Sequence, residues 1–517
     1  MTRSGRALSR FVLLCVVAVA VPTLAGCGGS SGSSSSDASS AEAIDGGVLR
    51  VGVPTGPETL DPAQNGDGGM ITETFGEALF ETNSEGEIVP RLATSYKTSA
   101  DGLTVTIHLR TDVTFSNGQK MTSKDVVFSI EQAEGGAINS SLYEEISKVS
   151  APSPDTVVLT LKEPMPAITS VLANYSSLIV PDNWAGMSEK EFSLKPMGTG
   201  PFEVKSAKQG GTVKLVSNPK YWGQPKPHLD EIVFSPAAEE SNLQQLRSGA
   251  LDVVSSVTPI GAKTGVPANS GIQIEESAAK FVNTFLLNQN FPLFKDPRVR
   301  KAINLAIDYK GITATATDGR GQEGASFLPP DQTFRIDTQP PARDVAEAKE
   351  LIAEAVKDGV KPEFSLNFNS GEAYSRLATQ IVQQNLEEVG LTVKLQGVQE
   401  ASLYEGLFGG DYDAILYGVG ATFSDPVGMS NVILGVVSPP AGQDVKALKK
   451  VAEEAATELN EEKRAQLYAE LQEMMIEEEA LLPLNYQPEI VPIAENVTGL
   501  EFDGVGNLLL RNVGFTG

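Results

Sequence analysis

The sequence predicts an α/β protein built as two large lobes, and three observations carry that prediction. The chain is 517 residues long, beyond the size at which one hydrophobic core usually keeps growing. Its second half alternates strand-like and helix-like segments in β-α-β-α-β order, which argues for a mostly parallel or mixed sheet with helices on its faces. No heptad, short-period repeat or nucleotide-binding fingerprint breaks this pattern, and the missing P-loop signature removes ATP hydrolysis by the usual route.

The chain opens with Arg3, Arg6 and Arg10 ahead of an apolar run over 11–21. That run is shorter than the roughly 20 residues a membrane span needs. Small residues then close on a cysteine at Leu24-Ala25-Gly26-Cys27. This is the profile of an export signal, and it resembles a bacterial lipoprotein signal: residues 1–26 are removed and Cys27 carries lipid. A Gly/Ser-rich tether over 27–43 follows, spanning on the order of 20 Å if coil-like. Two acyl chains anchor stably where one does so only marginally, so the expected location is the outer face of the plasma membrane. Cys15 falls in the leader, so the folded body keeps no thiol and no disulfide is expected.

Beyond the tether, 46–53 alternates toward a strand and Leu60-Asp61-Pro62 ends the first unit in a turn. The spacing predicts a helix over 70–81, with Phe75, Ala78 and Leu79 on one face and Thr72 as cap. Residues 102–110 alternate as a strand. Thr122 and Asp125 form a capping box, Asp replacing the usual Glu, that opens an amphipathic helix. A strand over 156–161 comes next. Gly198-Thr199-Gly200-Pro201-Phe202 is a tight turn feeding a strand, and 213–216 and 230–234 are two more. A helix over 239–247 turns Leu243 and Leu246 inward and leads into an extended 251–254.

Residues 281–288 read as a strand, and Asp296 caps a helix that begins at Pro297. Over 344–357 the stripe is Val345, Ala348, Leu351, Ile352, Ala355 and Val356. Strands at 364–368, 391–395 and 414–417 alternate with helices over 374–389 and 403–408. Two acidic helices, 445–459 and 461–478, follow, and the tail has the short apolar runs of strands returning to an earlier sheet.

Composition narrows the function. A formal net charge of -26 opposes a nucleic-acid partner, because phosphate binding wants a basic surface. Only His108 and His228 are available as imidazoles, one in an alternating strand and one in a Pro-rich turn, without metal-ligand spacing. Both read as structural, and no metal or other cofactor is expected. There is no GxSxG elbow. Acid pairs such as Asp411/Asp413 and Glu144/Glu145 follow from 66 acidic residues and do not argue for a glycosidase. The chain therefore reads as no enzyme but a monomeric body that captures a small solute in an interlobe cleft.

Eight blocks then carry a family resemblance: GGVLRVG at 46–52, TLDP at 59–62, IVPRLATSY at 88–96, DGLTVTIHLR at 101–110, FSNGQKMTSKDVVFS at 115–129, GTGPF at 198–202, NPKYWG at 218–223 and DPRVRKAIN at 296–304. In this order they resemble the family 5 extracellular solute-binding proteins of ABC importers, the oligopeptide, dipeptide and nickel binding group. The resemblance implies a two-lobed periplasmic-binding-protein-like fold (type II, cluster C) with an extra subdomain inserted in the amino-terminal lobe. It implies a lobe 1 sheet domain of 44–69, 192–270 and 488–517, an inserted subdomain of 70–191, a lobe 2 of 271–487, and a hinge near 270 and 488. Implied partners are a peptide or peptide-like solute and the permease subunits of the membrane, with their ATPase subunits across it.

Peptide-binding members carry an aspartate near a tryptophan that pairs with the free amine of the peptide. The matching segment here is Gly418-Val419-Gly420-Ala421-Thr422-Phe423-Ser424-Asp425-Pro426, with Val419 at the tryptophan position and Thr422 at the aspartate position. Threonine offers no charge to a desolvated ammonium, which keeps a non-peptide solute open: a glycan, opine, siderophore or metal complex, for import or for sensing. Asp425 either substitutes for the missing carboxylate or caps the turn before Pro426. Phe423 keeps an aromatic position that suits stacking on ligand, and Gly420 belongs to the same segment. Four further candidates have open alternatives. Tyr417 faces the ligand or the core, Asn288 faces the cleft or caps its turn, and Met70 and Phe75 lie on a helix edge that meets ligand or packs inward.

Overall fold

The computed structural model describes residues 43–65, 69–136, 140–421, 423–437, 441–442 and 444–517. The leader, Cys27 and Thr422 lie outside the described residues, as does the tether up to residue 42.

Two long strands set the architecture. Ile272–Leu287 and Leu481–Ala494 pair antiparallel over most of their lengths. Outward from Leu481–Ala494 the sheet continues through Val253–Val254, Val48–Val53, Glu231–Pro236, Val213–Ser217 and Phe202–Ala207. Outward from Ile272–Leu287 it continues through Ala414–Gly420, Glu363–Asn369 and Thr392–Val398. Gln322–Glu323 pairs beside this path with Leu481–Ala494, which makes eleven strands among the described residues. The expected lobes thus share one sheet. Register between the two long strands shifts from Glu276 to Ala279 and again from Ala279 to Phe281, opposite 487–490, and this irregular stretch divides the sheet into two halves.

Side chains of the second half separate by the period of two that a strand imposes. Phe285, Leu287, Leu366 and Leu416 enter one core with Ile303, Ile352 and Val382 from the helices of that face. Val282, Leu286, Ile415 and Tyr417 enter the opposite core with Ile433, Tyr468 and Leu471. A sheet buried on both faces is what parallel βαβ crossovers produce. The first half has its own core of Leu49, Val51, Phe75, Phe202, Leu215, Ile232, Phe234 and Val491.

Within 70–191 the chain makes a separate antiparallel sheet in the order Ala93–Thr98, Thr104–Leu109, Thr156–Leu161, Ile146–Ser153. The helix Ser123–Glu134 covers it. That helix starts as its residues dictate: Thr122 donates both N–H (2.7 Å) and Oγ1–H (2.9 Å) to Asp125 Oδ2. Glu77, buried beneath, ties this unit to the large sheet. It accepts from Arg91 Nε and Nη2 (2.9 and 2.6 Å), from Thr199 Oγ1 (2.8 Å) and from Trp222 Nε1 (2.8 Å). Trp222 itself lies under the Arg110 guanidinium, 4.2 Å from the ring centroid.

Four expectations need correction. The helix over 70–81 is only Met70–Phe75, and Gly76 is extended so that the chain can turn into the hairpin Phe80–Thr82/Ile88–Pro90. Its cap is Gly69, because Thr72 Oγ1 donates back to the Gly69 carbonyl (2.9 Å) instead of accepting an N–H. The strand at 281–288 begins nine residues earlier, at Ile272. In the helix Val345–Lys357 only Ala348, Ile352 and Ala355 are fully buried, and Val356 is 42 % exposed because the stripe is narrower than its apolar residues.

Candidate functional site

Strand direction brings the site together. Val48–Val53 runs parallel to Glu231–Pro236 and to Val253–Val254 in the first half of the sheet. Glu363–Asn369 runs parallel to Thr392–Val398 and to Ala414–Gly420 in the second. Loops beyond the carboxyl ends of parallel strands are where open α/β sheets bind ligands. Here those loops meet around one cavity of about 490 Å³, lined by Pro54, Glu239 and Ser256 from the first half and by Asn369, Glu372, Glu400 and Gly418 from the second. That volume falls in the small-molecule range of roughly 300–1,000 Å³. A neighbouring cavity of about 260 Å³ shares Pro54, Ser256, Phe281 and Glu489 with it. Both therefore sit at the irregular crossing of the two long strands.

The polar groups of the larger cavity differ in how they are satisfied. Glu239 accepts from Thr258 N (2.7 Å) and Oγ1 (3.1 Å), tying the start of the helix Pro259–Gly265. Glu489 pairs with Lys280 at 3.1 Å. Glu372 accepts from Ser375 Oγ at 2.6 Å. Burial pushes its carboxyl above the usual range and the charge of Glu400 adds to that, while Ser375 and the Arg376 guanidinium oppose it. Asn283 Nδ2 donates to Asn485 Oδ1 (2.9 Å), and Asn485 Nδ2 donates to Tyr374 Oη (3.1 Å). The Tyr417 ring turns away into the core of the other face, where its Oη is enclosed; burial raises its phenol and the Thr284 side chain offsets that in part.

The sequence candidates divide between this site and other duties. Met70, half-buried, lines the 260 Å³ cavity and Tyr417 lines the larger one. Gly420 pairs with Phe281, whose ring would lie 3.1 Å from a Cβ placed there. Phe75 is buried in the first-half core, and its carbonyl accepts from Gly200 N (2.9 Å). Asn288 caps its turn: Nδ2 donates to the Tyr412 and Gly410 carbonyls (2.7 and 3.2 Å), and Oδ1 accepts from Asn290 N (2.9 Å). Phe423 packs into the core of the four-stranded unit and lines neither cavity. Asp425 accepts from Val427 N (3.0 Å) and holds Arg464 through two contacts of 2.7 and 2.9 Å, both side chains under a tenth exposed. Its carboxylate is spent on the protein.

Residue reasoning missed Asn283, Phe281, Glu372, Glu400 and Tyr404. Glu372 and Glu400 had a usable signal, because each follows a predicted strand of a β-α-β succession and precedes a helix. Asn283 had none, since it lies inside a strand and gains its role from Gly418 across the ladder. Among the described residues no three His, Cys, Asp or Glu side chains are placed to hold a metal ion.

Comparison with known proteins gives a consistent picture. The family model described as bacterial extracellular solute-binding proteins, family 5 Middle, matches residues 87–437. The glutathione-binding protein GsiB of Salmonella choleraesuis (strain SC-B67) is 25% identical over 459 residues, covering 85% of this chain and 89% of its own. Among solved structures, NikA from Brucella suis in complex with Fe(III)-EDTA superposes with TM-score 0.79 at 25% identity, over 89% of this chain and 99% of its own. DppA from Helicobacter pylori in complex with the peptide STSA gives TM-score 0.77 at 24% identity, over 92% and 99%.

Proposed function

The chain belongs to the family 5 bacterial extracellular solute-binding proteins, and on that premise we propose that it captures a peptide or peptide-like solute for an ABC importer. The solute enters the cleft at the carboxyl ends of the strands and passes unaltered to the permease subunits in the membrane, whose ATPase subunits supply the energy. The observation that carries this reading is the 490 Å³ cavity, because both halves of the sheet line it. In this reading 44–69, 192–270 and 488–517 form one lobe with 70–191 inserted, 271–487 form the other, and the hinge lies near 270 and 488, next to the irregular crossing of the two long strands. Lipid on Cys27 holds the body at the outer face of the plasma membrane.

A non-peptide solute is the second reading. It is favoured by Asp425, whose carboxylate is committed to Arg464 and to a helix start and so is not offered to a peptide amine. The range of solutes named for similar structures, a tetrapeptide and an iron chelate, is compatible with either. Native mass spectrometry of the purified protein, followed by denaturation and identification of the released molecule, separates them. An intact peptide supports the first reading, an intact non-peptide the second. A molecule converted on incubation overturns both.

A further inference from the structure

The helix Glu400–Gly409 carries more apolar surface than its packing uses. Leu403 and Leu407 are buried and hold it to the core that also contains Ile433 and Tyr468. One position beyond each of them, Tyr404 is 38 % exposed and Phe408 63 %. Neither ring joins a core among the described residues. The two rings instead lie against each other, 21° from parallel with centroids 6.5 Å apart. A single exposed apolar side chain needs no explanation. Two rings four residues apart share one helix face, and this face reaches the solute cavity.

Glu400, Tyr404 and Phe408 follow one another at intervals of four along that face. The first two line the 490 Å³ cavity, and Phe408 lies one turn beyond them. Of the eight large apolar side chains that stand exposed among the described residues, Tyr404 is the one on this lining. Leu403, Leu416 and Phe281 share the lining with it, so the ring adds to an apolar part of the wall. Aromatic pairs prefer offset-stacked or edge-on contact at centroid separations of about 4.5–7 Å. Tyr404 and Phe408 already meet in the first of these ways, and a third ring inside the cavity can continue the arrangement.

Resting on the reading of this cavity as the solute site, we propose that the solute carries a planar aromatic ring that stacks on Tyr404, with Phe408 extending the stack outward. The occupant is the solute and not a protein partner, because the Tyr404 ring is continuous with the cavity lining and Glu400, one turn before it, stands on the same lining. Covering the ring removes apolar surface from water that the empty protein leaves wet. The π-faces then favour an aromatic group over a saturated one of the same size. Selection by ring planarity needs no charge, and so does not depend on a carboxylate in the segment around Thr422.

The test is calorimetric titration of the full-chain protein, stripped of solute, with pairs of probes that differ only in ring saturation. One pair is the tripeptide Gly-Phe-Gly and its cyclohexylalanine analogue. The other is N-benzoylglycine and its cyclohexylcarbonyl analogue. The aromatic member of at least one pair is expected to bind about two- to tenfold tighter. Tyr404→Leu, apolar but without a π-face, brings that ratio to about one, Tyr404→Phe retains it, and Phe408→Ala lowers it. Circular dichroism verifies the fold, which substitutions at exposed positions should leave intact. A ratio near one in both pairs, or a preference that survives Tyr404→Leu, overturns this inference and leaves the solute-site reading standing. A preference lost equally in Tyr404→Phe assigns the effect to the hydroxyl and also overturns it. If no probe saturates the folded protein, the molecule released from the unstripped protein decides. A ring-bearing molecule that Tyr404→Leu no longer retains supports the stack, any other overturns this inference alone, and none at all overturns both.

Discussion

Asp425 does two jobs with one carboxylate. It starts the helix Pro426–Val437 through Val427 N and anchors Arg464, which also donates to the Ala455 carbonyl at 2.9 Å. Breaking a buried pair by removing one partner leaves an uncompensated charge, so Arg464→Ala is expected to cost about 3–5 kcal/mol in denaturant unfolding. A loss under about 1 kcal/mol would mean the pair behaves like an exposed one. Glu73 is the opposite case, a carboxyl with Oε2 enclosed and unbonded, pushed up to about 8 by burial first and by the charge of Asp503 next, against the pull of Arg511 and Lys280. A raised carboxyl keeps its proton in the folded state after the unfolded chain has lost it. Stability is therefore undiminished below about pH 4.5 and is lost as pH rises toward 8. Glu73→Gln removes that dependence, and a thermal melt should show it more stable than the wild type by on the order of 1–3 kcal/mol at pH 8 and little changed at pH 4. Equal stability of the two at pH 8 would refute the assignment. At this scale, local partnerships were legible: Thr122 with Asp125, and Asp296 with Arg298 N. Arg464 lies 39 residues from Asp425, and a pairing at that range leaves no local pattern to read.

Elements were legible where one face is buried and the other wet. Glu239–Arg247 and Glu461–Glu478 form with the expected bounds. Pro426–Val437 was missed because Val427, Met429, Ile433, Leu434, Val436 and Val437 are buried around much of its circumference, which erases the period of 3.6 that marks a helix. The early half of Ile272–Leu287 was missed for a related reason: Gln273, Glu275, Glu276 and Ser277 give it no apolar run. The helix over 70–81 failed because a neighbour outweighs periodicity. Gly200 N takes the Phe75 carbonyl (2.9 Å), and a Cβ at Gly198 would lie 2.0 Å from that same oxygen. Gly198→Ala therefore forces the two segments apart, and a loss of about 3 kcal/mol or more in unfolding is expected, within the range of strained or overpacked sites. Asp296→Ala, by contrast, removes the helix cap from Arg298 N (2.9 Å) and should cost about 1 kcal/mol. If the two variants unfold alike, close approach at Gly198 is not what holds this turn.

For the whole molecule, the β-α-β order correctly indicated a mixed sheet with helices, while the sharing of one sheet by both halves was not legible. It depends on Leu481–Ala494 returning some 200 residues later to pair with Ile272–Leu287, a contact no window of sequence contains. The same return creates the cleft, because it sets the carboxyl ends of two parallel groups of strands against each other. The proposed lipid tether is tested at this scale as well. Cys27→Ser should release the protein from the membrane fraction into the soluble one without changing its solute affinity, and retention in the membrane would sink the lipid anchor. Capture in the cleft is tested most directly by hydrogen–deuterium exchange of the protein as purified, compared with the same protein stripped of solute by unfolding and refolding. Slower exchange in the unstripped protein at 54–55, 255–258, 369–375 and 400–404, and at the crossing of 276–281 with 487–490, is the predicted result. Identical rates there, or protection confined to the four-stranded unit, would contradict it.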